Sequence, residues 1–138
     1  MKRYEIIDHT ADIGITAYGR DLPETFSNAA YAMFDILTEI DGIREIQSND
    51  IKVSADDIQD LLIAWLDELL FIYETEYFLC RRTAIEYIDE TSLKAHVFGE
   101  KIDPRRHDIK LEIKSVTYHQ HKVEKTEDGY QARVIFDL

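Results

Sequence analysis

The segment "YEIIDHTADIGI", from Tyr4 to Ile15, contains two strand-like apolar runs separated by a polar corner. The apolar residues predict one β-strand over residues 3–7 and a second over Ile13 to Tyr18. The corner carries Asp8, His9 and Asp12. Two carboxylates and an imidazole are more than a turn requires, so the corner is a metal site, a catalytic site or a polar connection between strands.

Two amphipathic helices are predicted downstream of this corner. Residues 20–39, "RDLPETFSNAAYAMFDILTE", have apolar side chains at helical spacing. Asp21 is the predicted N-cap, with Glu24 three residues later as in a capping box. Residues 54–76 predict a second helix with Ser54 as its cap, and its apolar stripe is wide enough to be covered on more than one side.

The remainder of the chain is dominated by predicted strands. A strand is expected around "DIKVSA", and four more over "FLCRRTAIEYI", "SLKAHVFGE", "KLEIKSVTYHQHKVEKT" and "YQARVIFDL". "TEDGY" carries the Asp-Gly signal of a hairpin turn, and "GEKIDPRRHDIK" predicts a longer loop. Together these patterns predict a single α+β domain over residues 1–138, with two amphipathic helices packed on one face of a mostly antiparallel β-sheet.

Composition restricts the class of function. Asp and Glu number 28 against 16 Lys and Arg, a net charge of -12, which disfavours direct nucleic-acid binding as the main activity. Cys80 is the one cysteine, expected to be a buried apolar residue in a reducing compartment. No signal peptide or membrane-spanning run is visible, so a soluble cytoplasmic protein is expected.

Several chemistries lack their sequence signals. The chain has no nucleophile elbow, no glycine-rich phosphate loop and no cluster of Cys and His that would hold structural zinc. Oxygen-rich metal binding remains open, because carboxylates are the ligands that hard cations prefer.

The last predicted strand carries further carboxylates that could bind a metal. "VIFDL" predicts a strand that runs to Leu138, so Asp137 and the α-carboxylate of Leu138 arrive together. If that strand lies beside the first, both groups meet Asp12 at one end of the sheet. Three carboxylates at close range repel unless a proton or cation lies among them. The alternative is that Asp8 and Asp12 only cap a turn and Asp137 is solvated.

The histidines allow more than one interpretation. His9 could ligate a metal, titrate near neutral pH or bond the backbone. His119 and His121 are two apart on a predicted strand and should face the same side. His107 lies in a loop with acidic and basic neighbours that could form a polar site or docking surface.

Six strings of the sequence, taken in order, resemble the archease family. They are "DHTADIGI" (8–15), "FSNAAYAMFDIL" (26–37), "LLIAWLDELLF" (61–71), "FGE…H" (98–107), "EIKSVTYH" (112–119) and "VIFDL" (134–138). The resemblance covers nearly the whole chain without a large insertion, and it implies an α+β fold with two helices against antiparallel sheet.

The resemblance also implies a function. Archease-like proteins are accessory activators of the RtcB-type RNA ligase in tRNA splicing and RNA repair, where they promote guanylylation of the ligase and multiple turnover. They are not enzymes themselves, and RNA is reached only through the ligase. By the same resemblance, a divalent-metal site, holding calcium in the family with magnesium or manganese as alternatives, maps to Asp12, Asp137 and Leu138, although Leu138 stands where the family often has isoleucine.

Secondary sites and other classes of function stay open at this point. The expected surface shared with the ligase or a phosphate includes His9, Glu100, His107 and His119. A chaperone-like interaction module would use the apolar face of the helix between Ile58 and Tyr73. An autonomous metal-dependent phosphoesterase would use the Asp-His-Thr corner to activate water.

Overall fold

The protein contains two helices and two antiparallel sheets, as seen in a computed structural model that describes residues 2–8 and 11–138. The elements in chain order are β1 (Tyr4–Asp8), β2 (Asp12–Gly19), α1 (Leu22–Leu37), a 3₁₀ helix (Ile40–Gly42), β3 (Gln47–Ser54), α2 (Ile58–Glu76), β4 (Phe78–Ile88), β5 (Ser92–Lys101), β6 (Ser115–Val116), β7 (Lys122–Lys125) and β8 (Tyr130–Asp137). The predicted α+β class is confirmed.

The strands divide between two sheets, whereas the sequence suggested one. The larger sheet has the order β1-β2-β8, and β6 and β7 both pair along the far edge of β8. The smaller sheet has the order β3-β5-β4. Both helices contact strands of both sheets, so the helices and the inner sheet faces share one hydrophobic core.

Helix α1 begins as the sequence predicts. The Asp21 carboxylate accepts a hydrogen bond from the Glu24 main-chain N–H at 2.9 Å, which satisfies a donor of the first turn. Glu24 does not complete the reciprocal capping box. Its carboxylate instead accepts from the main-chain N–H of Arg20, at 3.0 Å, one residue before the cap.

The predicted start of helix α2 is wrong. Ser54 is the last residue of β3, and the helix is capped by Asp57, whose carboxylate accepts from the Asp60 main-chain N–H at 2.8 Å. The β-strand continues through Ser54 because it is paired with Ser92 of β5. The ladder therefore determines the conformation of Ser54.

The predicted single strand over "KLEIKSVTYHQHKVEKT" is also wrong. Val116 pairs with Phe136 and Lys122 pairs with Arg133. The chain therefore advances six residues along this edge while β8 covers only three. The excess chain loops out, with Gln120 in the left-handed region at φ 57°. Its carbonyl accepts from Arg133 Nε at 3.1 Å, which holds the loop to β8.

The core is built mainly from the two helices. Trp65 and Leu69 of α2 are completely buried, and Trp65 Nε1 donates to the carbonyl of Phe26 in α1 at 2.9 Å. The apolar stripe of α2 is therefore core, and the chaperone-like alternative loses the surface that the sequence had offered for it. No helix within the described ranges is long and apolar enough to cross a membrane.

Candidate functional site

Asp12 and Asp137 form a directly opposed cross-strand pair at one end of the larger sheet. Asp12 is the first residue of β2, Asp137 is the last residue of β8, and the two are register partners. Phe136, next to Asp137, is fully buried, so Asp137 lies on the outer face of the sheet. Directly opposed residues share a face, so the Asp12 side chain lies there too, with the Cβ atoms roughly 5 Å apart.

The next residue pair on this face of the sheet carries no charge. Two positions further along the same face, Gly14 of β2 is opposite Ile135 of β8. Ile135 is only 2% exposed, and Gly14 has no side chain. Like charges directly opposite each other destabilise a sheet.

The donor set suits a hard cation. Two carboxylates supply oxygen ligands, and the Leu138 main chain follows directly after Asp137. Leu138 is half-buried and packs on the core, while Lys114 N–H donates to the Asp137 carbonyl at 2.8 Å, so the end of β8 is held in place. Among the described side chains, which do not include those of residues 1 and 8–10, no three from His, Cys, Asp or Glu are grouped closely enough to hold a metal. The pair alone therefore supplies two carboxylates.

Two residues of the corner give no further information. His9 lies outside the described residues. Asp8 is the last residue of β1, where its backbone pairs with Ile13.

Glu100 and His107 are not on a surface, which corrects the prediction that they form part of one. They are 2% and 5% exposed, and His107 Nε2 lies 3.1 Å from Glu100 Oε2. The His107 Nδ1 accepts from the Asp103 main-chain N–H at 2.9 Å, so the Nε2 atom carries a proton and donates to the carboxylate.

Two partly exposed arginines complete the cluster around the buried Glu100 and His107. The Glu100 carboxylate accepts from the main-chain N–H of Arg44 at 2.6 Å and from its guanidinium at 3.1 Å, and from Arg106 Nη1 at 2.9 Å. Burial alone would raise the pKa of Glu100, but these hydrogen bonds outweigh it and lower the pKa to about 2. The cluster ties the 102–110 loop to the chain before β3 and has a structural role.

His119 is exposed, as a surface residue should be. Its main-chain N–H donates to Thr117 Oγ1 at 3.3 Å. It lies in the excursion between β6 and β7, so the expectation that His119 and His121 share a strand face is wrong. His121 is instead anchored to helix α2, with Nε2 2.8 Å from Asp60 Oδ1.

Cys80 is a buried apolar residue, as predicted. It is 2% exposed, and burial raises the pKa of its thiol to about 12 despite the arginines that follow it. A thiolate nucleophile at neutral pH is therefore not available at this position.

One cluster was missed in the sequence. Basic residues from three separate segments, Lys2 and Arg3, Arg20, and Arg81 and Arg82, line a single cavity. The adjacent arginines of "CRRT" were the one visible signal, and only the fold brings the other segments to them.

Together these features define a class: an α+β domain with two helices against two antiparallel sheets and an acidic cross-strand pair at one sheet end. Residues 4–138 match the archease protein family (MTH1598/TM1083). The chain belongs to this family.

Relatives and solved structures agree with that assignment. The chain is 38% identical over 143 residues to the archease of Pyrococcus abyssi and 39% identical over 142 residues to that of Methanothermobacter thermautotrophicus, with complete coverage of both chains in each case. Its fold superposes on the solution structure of Methanobacterium thermoautotrophicum protein 1598 with a TM-score of 0.84 at 36% identity and complete coverage of both chains. A Thermotoga maritima archease, described as a possible chaperone, has the same fold at TM-score 0.60 and 21% identity, with 96% of this chain and 94% of that chain covered.

Proposed function

We propose that this protein is an accessory activator of an RtcB-type RNA ligase, promoting guanylylation of the ligase and its multiple turnover. The observation that carries the proposal is the match to the archease family over residues 4–138. In this proposal the bond-forming chemistry resides in the ligase, and RNA is reached only through it.

The acidic pair supports a divalent-metal site as the functional feature. Asp12 and Asp137 would hold the ion, with the main-chain oxygen of Leu138 as a third ligand. Calcium is the expected ion, with magnesium or manganese as alternatives. A bound divalent ion would supply charge neutralisation for a phosphate, which is a major requirement of phosphoryl transfer.

The tasks of this chain's own residues follow from the fold. The ladder between β2 and β8 keeps the two carboxylates opposed, and the hydrogen bond from Lys114 holds the Asp137 main chain. Hard cations take six or more oxygen ligands, and these residues would supply fewer. The remaining positions would be open to oxygen atoms from a partner or a nucleotide. The net charge of -12 would favour encounter with a ligase whose RNA-binding face is basic.

The test measures guanylylation of the ligase and multiple-turnover RNA joining, each with and without this protein. Wild type is compared with Asp12→Asn, Asp137→Asn and the control Asp67→Asn, which removes an exposed carboxylate in α2. The proposal expects acceleration by wild type and the control, and none by the two pair variants. Acceleration by all four proteins would keep the activator function and remove the acidic pair from it. No acceleration by any of them would reject the activator function.

A chaperone-like function is a second candidate because the Thermotoga maritima protein is described as a possible chaperone. It predicts that the wild type and both pair variants suppress aggregation of an unfolded client equally. An autonomous phosphoesterase would instead release phosphate from a model ester without any ligase, and that release would depend on Asp12.

A further inference from the structure

A basic cleft lies at the opposite end of the larger sheet from the acidic pair. The cavity has a volume of about 540 Å³ and lies between the start of β1, helix α1 and the start of β4. Six charged side chains line it: Lys2, Arg3, Arg20, Arg81, Arg82 and Glu24. β2 runs from Asp12 to Gly19, so its length separates the two sites by roughly 23 Å.

The charge of this cleft is opposite to that of the protein. At the chain's overall ratio of 28 acids to 16 bases, a patch of six charged residues would carry about four carboxylates, whereas the lining of this one carries one. Three further carboxylates, Glu5, Asp41 and Glu45, pair with its cations from outside the lining. Five of the 16 basic residues converge on one concave site. Such a site concentrates positive potential and attracts anions although the whole molecule repels them.

The existing ion pairs at the cleft are of the exchangeable kind. Four of the five cations pair with a carboxylate: Arg20 with Glu24, Lys2 with Glu5, Arg81 with Asp41 and Arg82 with Glu45. In each pair one side chain is more than half exposed. Exposed pairs of this type contribute about 0–1 kcal/mol, so a multiply charged anion can replace the carboxylates.

Arg3 is held differently. Its guanidinium lies 4.1 Å over the Tyr31 ring, and no carboxylate among the described side chains is within ion-pair distance of it. Stacking fixes the plane of the guanidinium and leaves its N–H groups free to bind two oxygens of one ligand.

The size and the neutral lining indicate the class of ligand. A volume of this order is typical of small-molecule sites. Ser27, Asn28 and Thr83 contribute neutral polar groups to the lining beside the guanidinium groups, which match phosphate geometry in bidentate pairs. A fully extended nucleic-acid strand would exceed the cavity.

We propose that this cleft binds a small phosphate-bearing anion, of the size of a nucleoside triphosphate. The proposal is independent of the acidic pair and of ligase activation. The same chemistry could come from a free nucleotide, from inorganic polyphosphate or from the phosphorylated end of an RNA.

The test is isothermal titration at low ionic strength with EDTA present, so that the acidic pair cannot recruit the probe through a metal. The probes are GTP, inorganic tripolyphosphate, a 5′-phosphorylated oligoribonucleotide and an acidic peptide. Arg3→Ser and Arg81→Ser each remove one cleft cation, and Arg105→Ser removes a cation that is 91% exposed and does not line the cavity. We expect each cleft variant to bind GTP or tripolyphosphate about tenfold more weakly, and the control to bind like wild type.

Amide spectra recorded during the same titration locate the ligand and verify folding of the variants. We expect shifts at Ser27, Tyr31 and Thr83 and none at Asp12 or Ser115. Tighter binding of the phosphorylated oligoribonucleotide than of GTP would identify an RNA end as the source of the phosphate. Absence of binding by every phosphate probe, equal weakening by Arg105→Ser, or binding of the acidic peptide alone would overturn the proposal.

Discussion

Asp12 and Asp137 are opposed across β2 and β8, and their side chains leave the same face of the sheet. Two ionised carboxylates in this position repel each other unless a cation or a proton lies between them. The opposition therefore has a consequence for stability that can be measured without any ligase.

In EDTA, Asp12→Asn should raise the free energy of unfolding by about 0.2–1 kcal/mol, because the substitution removes the like-charge repulsion. Urea denaturation measures this change. With calcium or manganese added, wild type should gain stability and Asp12→Asn should not. Asp67→Asn serves as the control for loss of one exposed carboxylate. A loss of stability for Asp12→Asn in EDTA would show that the pair is not repulsive.

Glu100→Gln should destabilise the protein by roughly 1.5–3 kcal/mol, because it replaces the buried carboxylate that accepts charged hydrogen bonds from the partly exposed Arg44 and Arg106 guanidinium groups. Thermal and urea unfolding measure the loss, with Glu127→Gln at an exposed turn as the matched control. Equal stability of the two variants would contradict the structural role of the cluster.

The same carboxylate should make the fold sensitive to acid. Its pKa is lowered from 4.5 to about 2 in the folded protein, so the unfolded state binds its proton first as the pH falls. The stability that Glu100 contributes is complete above pH 4.5 and is lost as the pH falls towards 2. Urea midpoints across this range should fall more steeply for wild type than for Glu100→Gln. Parallel slopes would assign the acid sensitivity to other groups.

Cys80 should resist alkylation in the native protein at mildly alkaline pH, because burial raises the pKa of the thiol and excludes the reagent. Mass spectrometry after iodoacetamide treatment measures the modified fraction, and full labelling in denaturant verifies that the residue is present and reactive. Cys80 also lines the basic cleft, so rapid labelling of the native protein would show that the cleft opens to the reagent.

Asp57→Ala should cost about 1 kcal/mol of stability because it removes the cap of α2, whereas Ser54→Ala should have little effect. Equilibrium denaturation of both variants makes the comparison. A larger loss of stability for Ser54→Ala than for Asp57→Ala would show that Ser54 caps α2, as the sequence predicted.

Local features of this fold could be predicted from the sequence. Apolar spacing located both helices, and the Asp21 cap followed from its position before the apolar run. The strand predicted over "VIFDL" is the end of β8, with Asp137 as its last residue. Each of these features depends on neighbours within a few residues, which is why the sequence pattern reveals them.

Features that depend on distant partners could not be predicted in this way. Whether the last strand lies beside the first was left as a condition, and β8 pairs with the second strand, since nothing local encodes that register. Glu100 was expected at a surface because a lone carboxylate usually lies there. Its partner Arg44 is 56 residues away in sequence. Only the fold brings Arg44 close enough for its hydrogen bonds to offset the desolvation of Glu100.

The position of β8 between β2 and the β6–β7 edge also determines when the fold can form during synthesis. Its residues 130–137 pair with residues 12–19, so one edge of β2 has no strand beside it until the distal segment has left the ribosome. Contacts that span so much sequence slow folding, and the nascent chain must keep an unpaired strand edge from aggregating while it waits.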